Sequence, residues 1–417
     1  MRKDFLLRAI LAVLGIILVF FAGLFVGINF SSVRALLFQN SVAKVSESSG
    51  GASDFETKGT DEGFEVKPIE EVIELVYGNA LNRKSKQELL ESAINGIISS
   101  LGDKYAEYFS KEEYKLVMES YGGTMSGIGV IVTLDSQERV VIVKVIEDTP
   151  AYRTGLREGD IIEKVEEENT KSMPLEKVVA LIKGEEGTKV KLGIYRPDED
   201  IRFEVEITRE KFYVPNLFSE MLDDSIGYIQ YINFQEGGAE RLDTEIQKLI
   251  SGGAKGIIFD LRNNLGGTLD DAVKVCDLFL DEGVIVTIKG RSEDKEKVDE
   301  YTAEKGKYVE IPLIVLINEF SASASELTAG ALKDNNRAIL IGEKSFGKGT
   351  VQVLHELSDG SGIKFTTAKY YLPSGISVEG SGIVPDIVVE QEWDAREDLQ
   401  LNRAVQEMKS LIEALAK

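Results

Sequence analysis

The sequence predicts a multidomain protein of mixed α/β class, and three observations support this prediction. The chain has 417 residues, which is too long for a domain with a single hydrophobic core, so two or three domains are expected. Apolar residues recur at helical spacing between residues 68 and 98, and at a period of two between residues 122 and 212. From residue 226 onward, apolar strand-like runs alternate with helical segments, which is typical of a largely parallel sheet.

Composition excludes several classes of function. The formal net charge is −23, which disfavours binding to nucleic acid. The chain has one cysteine, Cys276, and one histidine, His355, so it cannot build a disulfide framework or a Cys/His zinc site. We expect neither a metal nor a cofactor. Catalytic schemes based on histidine are also disfavoured, because His355 would have to serve in any of them.

The N-terminal segment predicts a membrane anchor, residues 1–30. Arg2, Lys3 and Arg8 precede residues 9–30, which contain no charged residue and are long enough as a helix to cross a bilayer. A cleaved signal peptide is the alternative, but no convincing cleavage site follows the apolar run. We expect a single-pass protein of the cell membrane, with its positive end in the cytoplasm and the rest of the chain outside, either periplasmic or extracellular.

A polar linker and a small helical region follow the anchor. Residues 31–63 are predicted to be a flexible linker, since their second half is rich in polar residues and poor in apolar ones. Residues 64–115 are predicted to be helical, with helices near residues 68–77 and 89–98. Their apolar stripes could pack on the protein itself or on a second copy, so a homodimer is possible.

Residues 116–212 predict a compact β-rich domain inserted before the main α/β core. Turn residues separate short strands from one another, and a glycine-rich loop leads into the first strand. Strands are predicted at residues 130–132, 140–143, 190–195 and 203–207, and a helix at residues 175–182.

This domain carries a family resemblance. The run Gly127-Ile128-Gly129-Val130, followed by Thr-Pro-Ala at residues 149–151 and Gly-Leu-Arg-Glu-Gly-Asp-Ile-Ile at residues 155–162, resembles a PDZ domain of the bacterial type. The resemblance implies that main-chain N–H groups of this loop bind a terminal carboxylate, while the neighbouring strand edge pairs with the peptide. A hairpin whose glycines serve turn geometry alone is the alternative. The expected partners are proteins or peptides with free C-termini.

The α/β core is predicted to span residues 213–390, with a C-terminal helix within residues 391–417 that covers it. Asn-Asn-Leu-Gly-Gly at residues 263–267 follows one predicted strand, and Ser-Ala-Ser-Ala-Ser-Glu at residues 321–326 follows the next. Functional loops of a parallel sheet gather at one end of its strands, so these two turns can be neighbours. Ser321 is expected to cap the helix that follows. Spacing alone does not choose a nucleophile among Ser321, Ser323 and Ser325.

A glycine-flanked lysine, Lys348, lies downstream of the serine-rich turn. Residues 342–348 have the spacing of a phosphate-binding P-loop, but Gly349 replaces the Ser or Thr that binds magnesium. Residues 350–357 alternate like a strand, whereas a P-loop must open a helix. Nucleotide binding is therefore disfavoured. A lysine can instead act as general base for a serine if burial or nearby cations lower its pKa.

Three segments together resemble the carboxyl-terminal processing peptidases, which are tail-specific serine proteases. They are residues 260–267, 321–326 and 348–352, and the embedded PDZ module belongs to the same architecture. The resemblance implies that Ser323 is the nucleophile, Lys348 the general base and Gln352 the residue that orients the lysine. It also implies an oxyanion hole formed by the amides of Gly266 and Ala324.

The predicted function is that of a serine endopeptidase that recognises C-terminal tails and cleaves through an acyl-enzyme. Lys348 and Gln352 would lie about 13 Å apart on a straight strand, so a bend near Gly349 is expected. The alternative is a non-catalytic PDZ scaffold that binds protein C-termini and keeps the protease core only as a frame.

Overall fold

In this computed structural model the described residues are 65–135, 137–171, 173–223, 225–292, 295–392, 395 and 397–415. The predicted anchor and linker, residues 1–30 and 31–63, lie outside them. Across the described ranges, no helix combines the length and the apolar character that crossing a bilayer requires. The described chain divides into two compact units, residues 122–215 and residues 65–121 together with 216–415.

The second unit begins with two helices, a short strand and a third helix: α1 (Lys67–Asn79), α2 (Lys86–Ser99), β1 (Glu107–Phe109) and α3 (Lys111–Tyr121). Both helices expected from the apolar spacing are present. Ser85 begins α2 with a capping box, since its hydroxyl accepts from the Glu88 N–H while the Glu88 carboxylate accepts from the Ser85 N–H. Neither α1 nor α2 contains a buried residue, and Leu75 is 64% exposed.

The first unit, residues 122–215, is the β-rich domain. Its elements are β2 (Thr124–Gly127), β3 (Val130–Leu134), β4 (Val140–Val145), α4 (Pro150–Arg153), β5 (Ile161–Val165), β6 (Glu168–Asn169), α5 (Leu175–Ile182), β7 (Lys189–Arg196), β8 (Ile201–Thr208) and β9 (Glu210–Tyr213). The main sheet has the order β3-β4-β5-β7-β8, so β3 lies at its edge, and β2 pairs separately with β9. Burial alternates along β7, because every second side chain faces the core.

The α/β core follows. Its elements are β10 (Leu217–Leu222), β11 (Ile226–Tyr231), α6 (Gly238–Ser251), β12 (Gly256–Asp260), α7 (Leu269–Phe279), β13 (Val284–Ser292), β14 (Lys295–Thr302), β15 (Leu313–Ile317), α8 (Ala324–Asp334), β16 (Ile339–Gly342), β17 (Thr350–Glu356), β18 (Gly362–Tyr371), β19 (Ile387–Val388) and α9 (Leu399–Leu415).

The central sheet has the order β10-β11-β12-β15-β16-β19 and is parallel from β11 to β19, which confirms the expected largely parallel sheet. Strands β12 and β15 are buried along their whole length, as expected for strands covered on both faces. Helices α6, α7 and α8 supply the core on one face, and Ala404 and Met408 of α9 pack against the other. Gly256 permits this close approach, since a Cβ there would lie 2.2 Å from the Met408 sulfur. The C-terminal helix therefore covers the core as predicted.

A second, antiparallel sheet was not predicted from the sequence. Its order is β1-β18-β13-β14, with β17 also paired to β18. The strand expected after Lys348 is confirmed as β17, which starts at Thr350. Because β1 joins the edge of this sheet, residues just before it are brought to the part of the core that contains Lys348.

Candidate active site

The three serines of the turn after β15 lie in different environments. Ser321 and Ser325 are fully buried, whereas Ser323 is 8% exposed and lines a cavity. The Ser321 hydroxyl accepts from the Asn318 N–H and donates to the Leu261 carbonyl, both at 2.9 Å. The expectation that Ser321 caps the helix was wrong, because α8 begins at Ala324 and Ser323 occupies the N-cap position. Of the three serines, Ser323 is the one that lines this cavity and directly precedes the helix.

Ser323 has an unusual main chain, with φ 54° and ψ −111°. A positive φ at a non-glycine residue costs on the order of 1–3 kcal/mol and persists only when its surroundings hold it. The Ser323 N–H donates to Glu326 at 3.0 Å, and its carbonyl accepts from the Tyr370 hydroxyl at 3.2 Å and the Leu327 N–H at 2.8 Å. A strained serine between a strand and a helix is the geometry that presents the nucleophilic hydroxyl in α/β-hydrolases.

Asn264 joins the glycine turn to the serine turn. It is fully buried, its amide donates to the Tyr231 carbonyl at 2.7 Å, and its own carbonyl accepts from the Ala322 N–H and the Ser325 hydroxyl. The two turns are therefore neighbours, as the parallel sheet predicted. The Asn264 side-chain oxygen also accepts the Gly266 N–H at 2.8 Å. The amide expected to serve an oxyanion is thus engaged within its own turn.

A small cavity lies beside Ser323. Its volume of about 20 Å³ is enough for one water molecule. Ala324 is the first residue of α8, and an N–H at that position has no partner within the helix. The cavity is lined by Gly267, Leu269, Ser323, Ala324, Leu327, Thr350, Val351 and Tyr370. A first-turn N–H beside a hydroxyl suits stabilisation of a developing negative charge.

Lys348 lies in the loop before β17 and is 1% exposed. Burial lowers the pKa of its ammonium to about 7, since removal from water disfavours the charged form. The positive charges of Lys364 and Lys104 lower this pKa further, while Glu379 and Glu326 oppose the change. A lysine with a pKa near 7 is partly neutral at physiological pH and can accept a proton.

Glu326 holds the serine and the lysine together, a role that sequence reasoning missed. Its carboxylate is fully buried and accepts four hydrogen bonds. One oxygen accepts the N–H groups of Ser323 at 3.0 Å and Lys348 at 2.8 Å. The other accepts the Ser345 hydroxyl at 2.6 Å and the Gly347 N–H at 2.7 Å. Burial raises the pKa of the carboxyl, and these hydrogen bonds oppose that effect. The signal in the sequence was an acid three residues after the serine.

Gln352 is fully buried on β17. Its amide donates to the hydroxyl groups of Thr350 at 2.8 Å and Thr366 at 3.3 Å, and its side-chain oxygen has no partner among the described residues. That oxygen is an acceptor available to an ammonium group. Lys348 lies outside the strand, so the separation expected on a straight strand does not apply. The register of β17 against β18 shifts between Val351 and Gln352.

The predicted peptide-binding loop connects β2 to β3. Gly127 ends β2, and Val130 begins β3 at the edge of its sheet. The Ile128 side chain is buried in the domain core and its carbonyl accepts the Ala151 N–H at 2.8 Å, so this residue can serve a peptide only through its main chain. Gly129 has φ 88°, which its lack of a side chain permits. The edge strand beside this loop is suited to pairing with an extended peptide.

The loop that contains Lys348 has the spacing of a P-loop but not its structural context. Residues 343–349 lead into strand β17, whereas a P-loop leads into a helix. Within the part of the chain that the structure describes, no three His, Cys, Asp or Glu side chains are grouped so that they could hold a metal ion.

Comparison with known proteins decides the family. Residues 225–389, which include Ser323 and Lys348, match the model of peptidase family S41, and residues 141–196 match a PDZ domain. The chain is 38% identical over 326 residues to a carboxy-terminal-processing protease of Bartonella bacilliformis, covering 77% of this chain and 74% of that one. The chain belongs to peptidase family S41.

Two further proteins are similar to this chain. A protein of Staphylococcus haemolyticus described as a probable CtpA-like serine protease is 35% identical over 326 residues, 78% of this chain. The chain spans only 65% of the length of that relative. A solved S41 structure from Bacteroides fragilis is 17% identical, covers 84% of this chain and 99% of that one, and has a TM-score of 0.51. At that identity the likeness concerns the fold alone. The resemblance to the C-terminal processing peptidases is confirmed as a family assignment.

Proposed function

We propose that this protein is a serine endopeptidase that binds protein C-termini through its PDZ domain and cleaves with Ser323 and Lys348. One observation carries the proposal. A single oxygen of the buried Glu326 carboxylate accepts the main-chain N–H groups of both residues, at 3.0 Å and 2.8 Å. A strained serine and a lysine whose pKa lies near 7 are thus fixed to the same group.

The proposed reaction begins with neutral Lys348. Its amine takes the Ser323 proton as the serine oxygen attacks the peptide carbonyl carbon and forms a C–O bond. The resulting ammonium gives the proton to the leaving amine as the C–N bond breaks, which leaves an acyl-enzyme. Water then attacks the ester with the lysine again as base, and Ser323 is regenerated. Gln352, whose buried side-chain oxygen has no partner among the described residues, would accept from the ammonium and hold it in place.

The oxyanion would be bound by the Ala324 N–H at the start of α8. Gly266 can contribute a second N–H only after release from the Asn264 side chain, to which it donates at 2.8 Å. Binding of substrate in the glycine turn would therefore have to exchange that internal hydrogen bond for one to the oxyanion. Before this exchange the oxyanion hole would lack the Gly266 N–H, and it would be complete only with substrate bound.

Capture of the substrate is assigned to the β-rich domain. Main-chain N–H groups of Gly127, Ile128, Gly129 and Val130 would receive the terminal carboxylate, and the free edge of β3 would pair with the preceding residues of the tail. Recognition through main-chain groups would accept many sequences and require a free C-terminus. The expected substrates are proteins with accessible, unfolded tails.

Placement in the cell is proposed from the sequence. Residues 9–30 would anchor the chain in the cell membrane with the catalytic part outside, because Arg2, Lys3 and Arg8 precede the apolar run. A homodimer is proposed from α1 and α2, whose large apolar side chains, Leu75 among them, face solvent in the described chain.

Cleavage of one unfolded protein tests the proposal. We expect the wild-type enzyme to cut it with a free C-terminus and to cut it poorly when that terminus is amidated. Ser323→Ala and Lys348→Ala should abolish turnover while circular dichroism shows an intact fold. Lys344→Ala is the matched control, since Lys344 lies exposed in the same loop as Lys348. Full activity of either catalytic variant would refute the mechanism, and tail binding without cleavage by wild type would identify a scaffold.

A further inference from the structure

The segment that precedes β1 covers the lysine end of the site, and no part of the mechanism above uses it. Tyr105 is 7% exposed, and the Lys348 ammonium nitrogen lies 4.5 Å from the centroid of its ring. On the solvent side, the exposed Lys104 ammonium lies 4.7 Å from the same centroid. The ring therefore stands at the boundary between the buried lysine and water.

Neighbouring side chains fix this segment to the second sheet. Asp103 accepts the Tyr105 N–H at 2.9 Å with one oxygen and the Thr366 N–H of β18 at 2.7 Å with the other. Glu107 in β1 forms an ion pair with the buried Lys364 at 2.9 Å. Thr366 also accepts from Gln352 at 3.3 Å. The position of the ring is thus set by the strand that also contacts the predicted orienting residue.

We propose that Tyr105 is a positioning residue for the general base, with its ring acting as the wall that excludes water from the Lys348 ammonium. The inference rests on the proposed function, since it concerns the same lysine. It adds a residue from the N-terminal region, more than 200 positions before the nucleophile in the sequence, to the machinery of the core.

The Tyr105 ring has two opposite effects on the pKa of Lys348, and their relative sizes decide whether the ring raises or lowers that pKa. An aromatic face attracts an ammonium and favours its charged form, but this attraction is modest. Loss of water disfavours the charged form and can move a lysine pKa by about 3–5 units. Burial is the largest cause of the low pKa of Lys348, ahead of the neighbouring charges of Lys364, Lys104, Glu379 and Glu326. The water-excluding effect of the ring therefore dominates.

The variant Tyr105→Phe, which lacks only the hydroxyl, is the control for the effect of the ring. That hydroxyl is buried and makes no hydrogen bond of regular geometry among the described residues, although the Lys104 ammonium lies near it. Removal of this hydroxyl breaks no regular hydrogen bond and leaves no other buried group without a partner, so Tyr105→Phe should fold as well as wild type. Phe keeps the aromatic ring, so Tyr105→Phe should still exclude water from the Lys348 ammonium.

The pH dependence of kcat/KM in the full-length chain tests the proposal, with one unfolded protein as substrate from pH 6 to pH 10. Wild type should show an acidic limb with an apparent pKa of about 7. Tyr105→Phe should keep that limb within about 0.3 pH units. Tyr105→Ala admits water, so its limb should move up by about 1–2 units, with about 5- to 50-fold lower kcat/KM at pH 7 and convergence near pH 10.

An unmoved or downward-shifted limb in Tyr105→Ala overturns the proposal, because a purely structural defect would lower activity equally at every pH. If Tyr105→Ala does not fold, Tyr105→Gln fills much of the space with a polar group and should give the same upward shift. Failure of the mechanism itself is distinguishable. In that case Lys348→Ala retains activity and wild type lacks the limb, whereas failure of the Tyr105 proposal leaves both of those results intact.

Discussion

Replacement of Glu326 by glutamine removes one acceptor from the centre of the site and changes little else in volume. The carboxylate accepts two donors at each oxygen, so the new NH₂ must face two of them. At one position it would oppose the N–H groups of Ser323 and Lys348. At the other it would oppose Gly347 and the Ser345 hydroxyl, and a hydroxyl can rotate to accept. Glutamine should choose the second arrangement, which leaves one buried N–H unsatisfied.

The cost follows from that arrangement. One buried donor without a partner costs about 1–3 kcal/mol, so Glu326→Gln should lower the free energy of unfolding by this amount. Glu326→Ala leaves all four donors without a partner and should cost at least twice as much. Movement of Gly347 shifts the neighbouring Lys348, and a misplacement of about 1 Å can reduce turnover about 100-fold. Glu326→Gln should therefore remain folded but cleave about 100-fold more slowly than wild type.

Urea unfolding and kcat/KM, both measured at pH 7.5, test this prediction. Glu319→Gln is the matched control, because Glu319 lies in the same strand-to-helix turn but is exposed. It should change neither quantity measurably. If Glu326→Gln unfolds within about 0.5 kcal/mol of wild type and cleaves at the wild-type rate, Glu326 is an ordinary first-turn acid and not the group that holds the site together.

Two further predictions follow from the buried lysine and the peptide-binding loop. The folded-state pKa of Lys348 is about 7 against an ordinary 10.5, so the unfolded state binds more protons between these values, and wild-type stability should rise with pH relative to Lys348→Met. Lys348→Met should be more stable by up to about 5 kcal/mol at pH 6 and lose this advantage by pH 10; a pH-independent difference in urea unfolding would contradict it. A Cβ at Gly129 would lie 2.2 Å from Thr149, while Gly155, also at positive φ, has nothing within 4 Å. Gly155→Ala should cost about 1 kcal/mol and Gly129→Ala clearly more, with loss of tail binding; equal effects in thermal unfolding and peptide titration would refute the steric argument.

The sequence predicted those parts of the fold that depend on hydrophobic period. Strands β12 and β15 are continuous apolar runs, so their burial and parallel pairing could be expected before the structure was known. Adjacency of the two turns follows from the same topology, and the hydrogen bond from Ala322 to Asn264 at 3.0 Å confirms it. The antiparallel sheet escaped prediction because β14 is mostly exposed and the other neighbour of β13 is β18, which is far away in sequence.

Features of the site that depend on side-chain direction could not be predicted. The spacing of Ser321, Ser323 and Ser325 is symmetrical, so the family resemblance alone selected Ser323 from the sequence. The structure adds its positive φ, its slight exposure and the cavity beside it. An acid at position 326 suits the first turn of a helix, and nothing else in the local sequence marks it. Its four donors come from the turn itself and from the loop around Lys348, a pairing that no local pattern encodes.

Three features of the site lower the stability of the fold, and selection for stability alone would remove them. Ser323 adopts a strained φ, Lys348 is buried where its charge is disfavoured, and Gln352 keeps a buried oxygen without a partner among the described residues. Each feature costs on the order of 1–5 kcal/mol, which is comparable with the whole stability of many domains. They persist because Glu326 ties the first two together and the buried β12–β15 sheet supports the turns beneath them. The proposed peptidase chemistry needs these same three features, which is the physical reason to regard them as a catalytic site.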